Sequence, residues 1–204
     1  MPFYELATLS LRIGSASKAV MAIEADASRY AEGGSLLGCF LAEIGSLDRL
    51  VLLRGFPTKE SLDAERQRIL LCTNPFGCAE YLTALDLEGY APFPFMHPLQ
   101  TGQFGPVYEI RTYRLYPGML AAQIASWERM VRERELRSPL TMVMYALDGT
   151  PRMTHIWPYA SFEQRGEIRG RAVAEGIWPP KGGAEYIAEQ RSGIYLPTRI
   201  SALR

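Results

Sequence analysis

Histidine, cysteine and net charge are all in short supply. Two histidines, His97 and His155, and three cysteines, Cys39, Cys72 and Cys78, are too few and too scattered for a zinc or iron centre. No resident metal is expected. The cysteines are odd in number and lack CxxC spacing, which fits reduced thiols, and Cys39, set in an apolar strand, should be inert. Lys plus Arg and Asp plus Glu are 22 each, so no excess field draws phosphate backbones or anionic lipid, and nucleic acid is a poor partner. No stretch approaches the roughly eighteen uninterrupted apolar residues of a membrane span. The opening MPFYELATLSLRIG alternates polar and apolar residues where a signal peptide would place a charged leader and an apolar core, so a cytoplasmic location is expected. Missing too are a GxGxxG after a strand, a P-loop and a GxSxG elbow. Their absence removes the common nucleotide-binding and hydrolase classes and leaves no cofactor to expect.

What the chain does have is repetition. FYELATLSLRIG at 3–14 is echoed by VYEIRTYRLYPG at 107–118, which aligns Tyr4 with Tyr108, Glu5 with Glu109, Thr8 with Thr112, Leu11 with Leu115 and Gly14 with Gly118 at an offset of 104. RLVLLRGFPTKE from Arg49 resembles RMTHIWPYASFE from Arg152 at an offset of 103, and GCAEYL at 77–82 resembles GGAEYI at 182–187 at 105. Echoes in the same order with offsets drifting by single residues mark a duplicated unit, residues 1–100 and 101–204, each near the usual domain size.

Each unit reads as βαββαβ. In the second, residues 106–116 alternate and are rich in Val, Tyr, Ile and Thr, and Pro117-Gly118 ends the strand. From Met119 to Leu136, Leu120, Ile124, Trp127 and Val131 recur at helical spacing. Two strand-like runs flank Asp148-Gly149, a pair suited to a tight hairpin. A helix after Ala160, a loop at WPPKGG, a short element at AEYI and a last strand in RSGIYLPTRI complete the unit. The first unit repeats this: a strand at 3–12, a helix near 16–32, strands near 36–44 and 49–55, a helix near 58–71 and a strand near 86–95. Residues 91–106, with Phe93, Phe95 and Phe104, should pack as they cross between units. The expected fold class is α+β: tandem ferredoxin-like units, each with both helices on one sheet face and the first and third strands central. The uncovered apolar faces must be buried, and the two sheets are expected to cover each other.

YEIRTYRLYPG at 108–118, followed by a helix containing Trp127, resembles the opening motif of the NIPSNAP family, members of the dimeric α+β barrel group. In the first unit Ala7 stands for the arginine and Leu9 for the tyrosine. The resemblance implies barrel architecture and self-association into a homo-oligomer, and it implies no activity. Eukaryotic relatives are tied to mitochondria and membrane traffic, but no Arg-rich transit segment is read here.

Alternation sets Glu109, Arg111 and Tyr113 on one face of their strand, and Met153, His155, Trp157 and Tyr159 on one face of theirs. If the strands adjoin and that face lies between the sheets, an acid, a base, a phenol and an aromatic wall meet in one cavity. His155, Glu109 and Arg111 are then the candidate catalytic groups, and Tyr113, Trp157 and Tyr159 the ligand-binding ones. Glu185 and Tyr186, kept at matching points of both units, are outer candidates. The same residues also fit a plain structural role, with Glu109 and Arg111 an ion pair and Tyr113 a core phenol. Two functions stay open: a pocket between the sheets for a small apolar or aromatic ligand, serving a cofactor-independent oxygenase or isomerase or a binder, and a non-catalytic scaffold assembling through exposed edges.

Overall fold

In the computed structural model, which describes residues 3–27 and 34–204, eight strands close into one barrel. In chain order the elements are β1 (Phe3–Leu11), α1 (Ala16–Ala25), β2 (Ser35–Ile44), β3 (Arg49–Phe56), α2 (Lys59–Leu71) and β4 (Leu82–Pro92). They continue with β5 (Val107–Leu115), α3 (Leu120–Glu135), β6 (Met142–Ala146), β7 (Arg152–Tyr159), α4 (Phe162–Ala174) and β8 (Ile187–Pro197). The strand order is β1-β3-β2-β8-β5-β7-β6-β4, every pairing is antiparallel, and β4 returns to β1. Both halves therefore run through the same internal order, with first and third strands central, and they meet at two seams, β4 with β6 and β2 with β8.

Three apolar cores result. Inside the barrel pack Tyr4, Leu6, Phe40, Leu53, Tyr90, Tyr108, Ile110, Met142, Met144 and Ile156, with the Phe40 and Tyr108 rings 4.8 Å apart across the two halves. The sheets do cover each other. Outside the barrel, α1 and α2 close a second core over Ala7, Leu9, Leu50 and Leu52, while α3 and α4 close a third over Leu115, Met153, Trp157 and Tyr159.

Local chemistry explains the echoes. Gly14 and Gly118 both hold left-handed φ, 72° and 82°, in the turn that leads from the first strand of each half to its helix. Gly149 does the same at φ 70° in the β6–β7 turn. Thr58 caps α2 by accepting from the Ser61 N–H at 3.1 Å, and Ser161 caps α4 by accepting from the Gln164 N–H at 3.1 Å. The helix expected near 16–32 is seen as Ala16–Ala25, and its continuation over 28–32 lies outside the described residues. The last strands begin earlier than expected, at Leu82 and Ile187, because each issues straight from a short 3-10 turn, Ala79–Tyr81 and Gly183–Tyr186.

The passage between halves packs against the barrel. Met96 and Leu99 rest on the inner core, joined by Leu203 from the chain's end, and Gly102 bridges to Leu203. Among the described residues no helix is long and apolar enough to cross a membrane.

Candidate functional site

The register of β5 on β7 sets Glu109 opposite Trp157, Arg111 opposite His155 and Tyr113 opposite Met153, so the expected residues do share one face. That face is the one beneath α3 and α4. The placement between the sheets is corrected: the interior side of β5 carries Tyr108 and Ile110, with Thr112 bonded to Thr154 at 2.8 Å, and side chains fill the barrel there. Alternation alone divides a strand into two faces without saying which one a helix covers.

Glu109 is the centre of the arrangement. Its Oε1 accepts from Arg111 Nη1 at 2.8 Å, Arg165 Nη2 at 2.6 Å and Ser192 Oγ at 2.8 Å, while Arg169 Nη1 stands 3.5 Å from Oε2. Complete burial pushes its carboxyl up, but Arg165, Arg169, Arg111 and Ser192 outweigh that and bring its pKa down to about 2. Arg111 is spent on this wall: Nε donates to the Tyr113 oxygen at 2.6 Å and Nη2 to Gln190 Oε1 at 3.3 Å.

His155 lies behind the wall and is buried. Its Nδ1 accepts from Trp157 Nε1 at 2.7 Å, which places the proton of the neutral ring on Nε2. Burial first, then the positive charge of Arg111, holds its pKa well below the usual histidine value. The Tyr113 and Trp127 rings lie 4.9 and 4.8 Å from it. With the acceptor nitrogen occupied and the other protonated, His155 can offer a hydrogen bond and has no free lone pair to take a proton.

Beyond Tyr113 and Trp127 opens a cavity of about 140 Å³. It is lined by the polar side chains Arg111, Tyr113, Arg169 and Gln190 and by the apolar Trp127, Trp178, Pro179 and Ile187. Trp178 meets Trp127 edge to face at 4.7 Å. With its amide turned so that both ends are satisfied, Gln123 holds the Trp127 indole: the amide oxygen accepts from Trp127 Nε1 at 3.0 Å and the nitrogen donates to the Gly183 carbonyl at 3.3 Å. Trp157 and Tyr159 stand deeper, where the Arg134 guanidinium lies 4.5 Å over the Trp157 ring and Nη2 donates to the Tyr159 hydroxyl at 3.4 Å. Tyr186 is not part of the lining, although Gly183, Ala184 and Ile187 around it are. Glu185 is also outside it.

Sequence reasoning missed Gln123, Arg134, Arg165, Arg169 and Trp178. Arg165 and Arg169 stand four apart on α4, a spacing that puts both on one helix side and was the available signal.

The first half shows what the same frame does without the site. Glu5 stands opposite Arg54, Ala7 opposite Leu52 and Leu9 opposite Leu50, so the places of Arg111, His155 and Tyr113 are taken by Ala7, Leu52 and Leu9, all in the apolar core. Glu5 pairs with Arg54, which also donates to Glu65 at 2.8 Å. Burial raises the Glu5 pKa, against the pull of Arg54, where that of its counterpart Glu109 is lowered.

A closed antiparallel barrel of two ferredoxin-like halves, with a polar cavity under the helices of one, places the molecule among the α+β barrels that other proteins complete by dimerisation. The chain belongs to the NIPSNAP family, whose profile matches residues 4–73 and 108–202. It is 26% identical over 150 residues to a NipSnap homolog of Dictyostelium discoideum, covering 72% of this chain and 67% of that protein. To NipSnap of Drosophila melanogaster it is 24% identical over 131 residues, covering 60% of this chain and 46% of the relative's length. Two solved structures share the fold over nearly the whole chain. One, from Lactobacillus acidophilus and provisionally assigned as a monooxygenase, has a TM-score of 0.68 at 12% identity, covering 96% of this chain and 93% of its own. The other, an anthrone oxidase-like protein, has a TM-score of 0.64 at 11% identity, covering 97% and 92%.

Proposed function

We propose that this protein binds a small, flat, ring-containing molecule in the cavity under α3 and α4 of its second half. The observation that carries the reading is the contrast between the halves. One strand register is built twice, and where the first copy packs Ala7, Leu9 and Leu52 into solid core, the second turns Arg111 and Tyr113 toward an opening walled by Trp127 and Trp178. A volume of about 140 Å³ suits one aromatic ring, since an apolar cavity of roughly 150 Å³ accepts benzene. Edge and face contacts from two indoles favour such a guest over an aliphatic one. In this reading Tyr113 and Arg169 face the ligand, Glu109 fixes Arg111 behind Tyr113, and His155 supports Tyr113 and Trp127 from behind.

A second reading, oxidation of the bound ring by dioxygen, is favoured by the cationic wall, which would hold a ring hydroxyl as the electron-rich phenolate. It agrees with the oxidase-type names of the two structural neighbours. The chemistry would have to proceed without a protein base, because Glu109 stays ionised and paired and His155 has no free lone pair. Scaffolding through strand edges has less support, because the closed barrel leaves every described strand paired on both sides.

All three tryptophans of the chain, Trp127, Trp157 and Trp178, belong to this one cluster, so indole emission reports on it alone. Titration with single-ring compounds is expected to change that emission saturably, and Ala184→Phe, which plugs the cavity from its rim, to abolish the change while leaving the melting temperature in place. Saturable binding that survives the plug would place the ligand elsewhere and end the reading.

A further inference from the structure

The second half has one buried carboxylate among its described residues, Glu109. Around it stand Arg111, Arg165 and Arg169, whose side chains are 11%, 19% and 32% exposed, and Arg134 is buried nearby at 2%. A single negative charge thus faces several guanidinium groups in a layer where water screens poorly, and uncompensated buried cations are costly. The hydrogen-bond inventory leans the same way. Arg165 Nε, Arg134 Nε, Arg134 Nη1 and His155 Nε2 are buried donors without an acceptor, against a single unpartnered acceptor in the cluster, Glu109 Oε2. The cluster has donors in surplus and acceptors in deficit.

Two of those donors' neighbours open onto the cavity. Tyr113 uses its oxygen to accept from Arg111 Nε at 2.6 Å, so its own hydroxyl proton is directed elsewhere. Arg169, also in the lining, meets Glu109 only at 3.5 Å, too long for a hydrogen bond, which leaves its guanidinium free to turn to a better partner. The lining they share also carries the apolar Trp127, Trp178 and Pro179.

Building on the small-molecule reading of this pocket, we infer that its ligand is an anion: a compact aromatic acid whose ring lies against Trp127 and Trp178 and whose acidic oxygen is received by Arg169 and the Tyr113 hydroxyl. A carboxylate or a phenolate meets the same requirement, two acceptor lone pairs and a negative charge next to a ring. Glu109 then has a defined part. It holds Arg111 against Tyr113, which keeps that guanidinium from competing for the ligand and turns the phenol into a donor. Arg169 is the recognition group, since it alone of the lining cations lacks a hydrogen bond.

The test compares probes of one shape and two charges. Benzoate, 4-hydroxybenzoate and benzamide are titrated into the full chain, read by tryptophan emission and by calorimetry, in the wild type, Arg169→Gln, Arg169→Lys and Ala184→Phe. Benzoate is expected to bind at least about tenfold more tightly than benzamide, the gap to close in Arg169→Gln and to be partly restored in Arg169→Lys, and Ala184→Phe to bind none of them. Arg169 is about one-third exposed and holds one long ion pair, so Arg169→Gln should keep the wild-type melting temperature, which separates recognition from folding. Equal affinity for benzoate and benzamide in the wild type overturns the anion inference and leaves the pocket reading standing. Failure of all three probes to change indole emission sinks both. Tighter binding of 4-hydroxybenzoate than of benzoate would assign the receiving donors to a ring hydroxyl, and weaker binding to the carboxylate alone.

Discussion

Glu109 carries the heaviest electrostatic duty of any side chain in the second half. Its carboxyl ionises at about 2 against an ordinary 4.5, so the ionised form contributes stability that is complete above about pH 4.5 and is lost as the pH falls toward 2. The size is on the order of 3 kcal/mol. Glu109→Gln should therefore lower the unfolding free energy at neutral pH, and the gap from wild type should shrink as denaturant melts are repeated between pH 5 and 3; a gap that is constant with pH would mean the ion cluster contributes nothing. Arg54 poses the complementary case. It is 2% exposed and joins Glu5 to Glu65, so Arg54→Ala strands the buried Glu5, while Glu65 keeps Arg68, and is expected to cost roughly 3–5 kcal/mol, whereas replacing Glu5 and Arg54 together by apolar residues should cost far less. Urea melts of the two variants decide it. At this scale the sequence was partly legible. That Glu109, Arg111, Tyr113, His155 and Trp157 would gather followed from alternation and from strand adjacency. Which side they faced did not, because β5 buries Tyr108 and Ile110 on one side as fully as Glu109 and Leu115 on the other, and a strand covered on both faces shows no polarity contrast to read.

Among the elements, α2, α3, α4 and the hairpins matched their expected limits closely, and the caps of α2 and α4 and the positive-φ glycines of the turns mark several of those limits chemically. Arg165 and Arg169 escaped notice for the opposite reason: α4 is mostly polar, and arginines on such a helix read as a solvated face until a carboxylate beneath them is known. Trp178 sits in a proline-flanked loop with no periodicity to place it. The passage between the halves is tied down more firmly than its Pro- and Gly-rich composition suggests. Gly105, at φ 146°, donates to the Arg204 carbonyl at 3.0 Å, and a Cβ there would meet the backbone oxygen of Tyr159. Gly105→Ala is expected to destabilise by at least about 1 kcal/mol. Leu203→Ala, which removes a fully buried side chain from the end of the barrel core, should cost roughly 2–5 kcal/mol. Thermal unfolding reads both, and wild-type melting in either would show that this end of the barrel is not closed as described.

For the whole molecule, the decisive fact is that two seams join two halves of the same order. The β4–β6 seam pairs Tyr90 through Pro92 with Ala146 through Met144, and the β2–β8 seam pairs Phe40 through Ile44 with Pro197 through Ile194. Since β4 corresponds to β8 and β2 to β6, each seam joins the last strand of one half to the second strand of the other. A second half expressed alone, residues 101–204, would expose both of these edges along with its inner apolar face, and is expected to pair with a copy of itself. Native mass spectrometry of that fragment should show a dimer; a well-folded monomer would contradict the closure described. A ring assembled from two identical chains seats two equal guests and can couple them. In the fused ring here the matching place in the first half is filled by Ala7, Leu9 and Leu52, so the seat under α3 and α4 should saturate at a single equivalent per chain, along a simple hyperbola, with no twin to cooperate with.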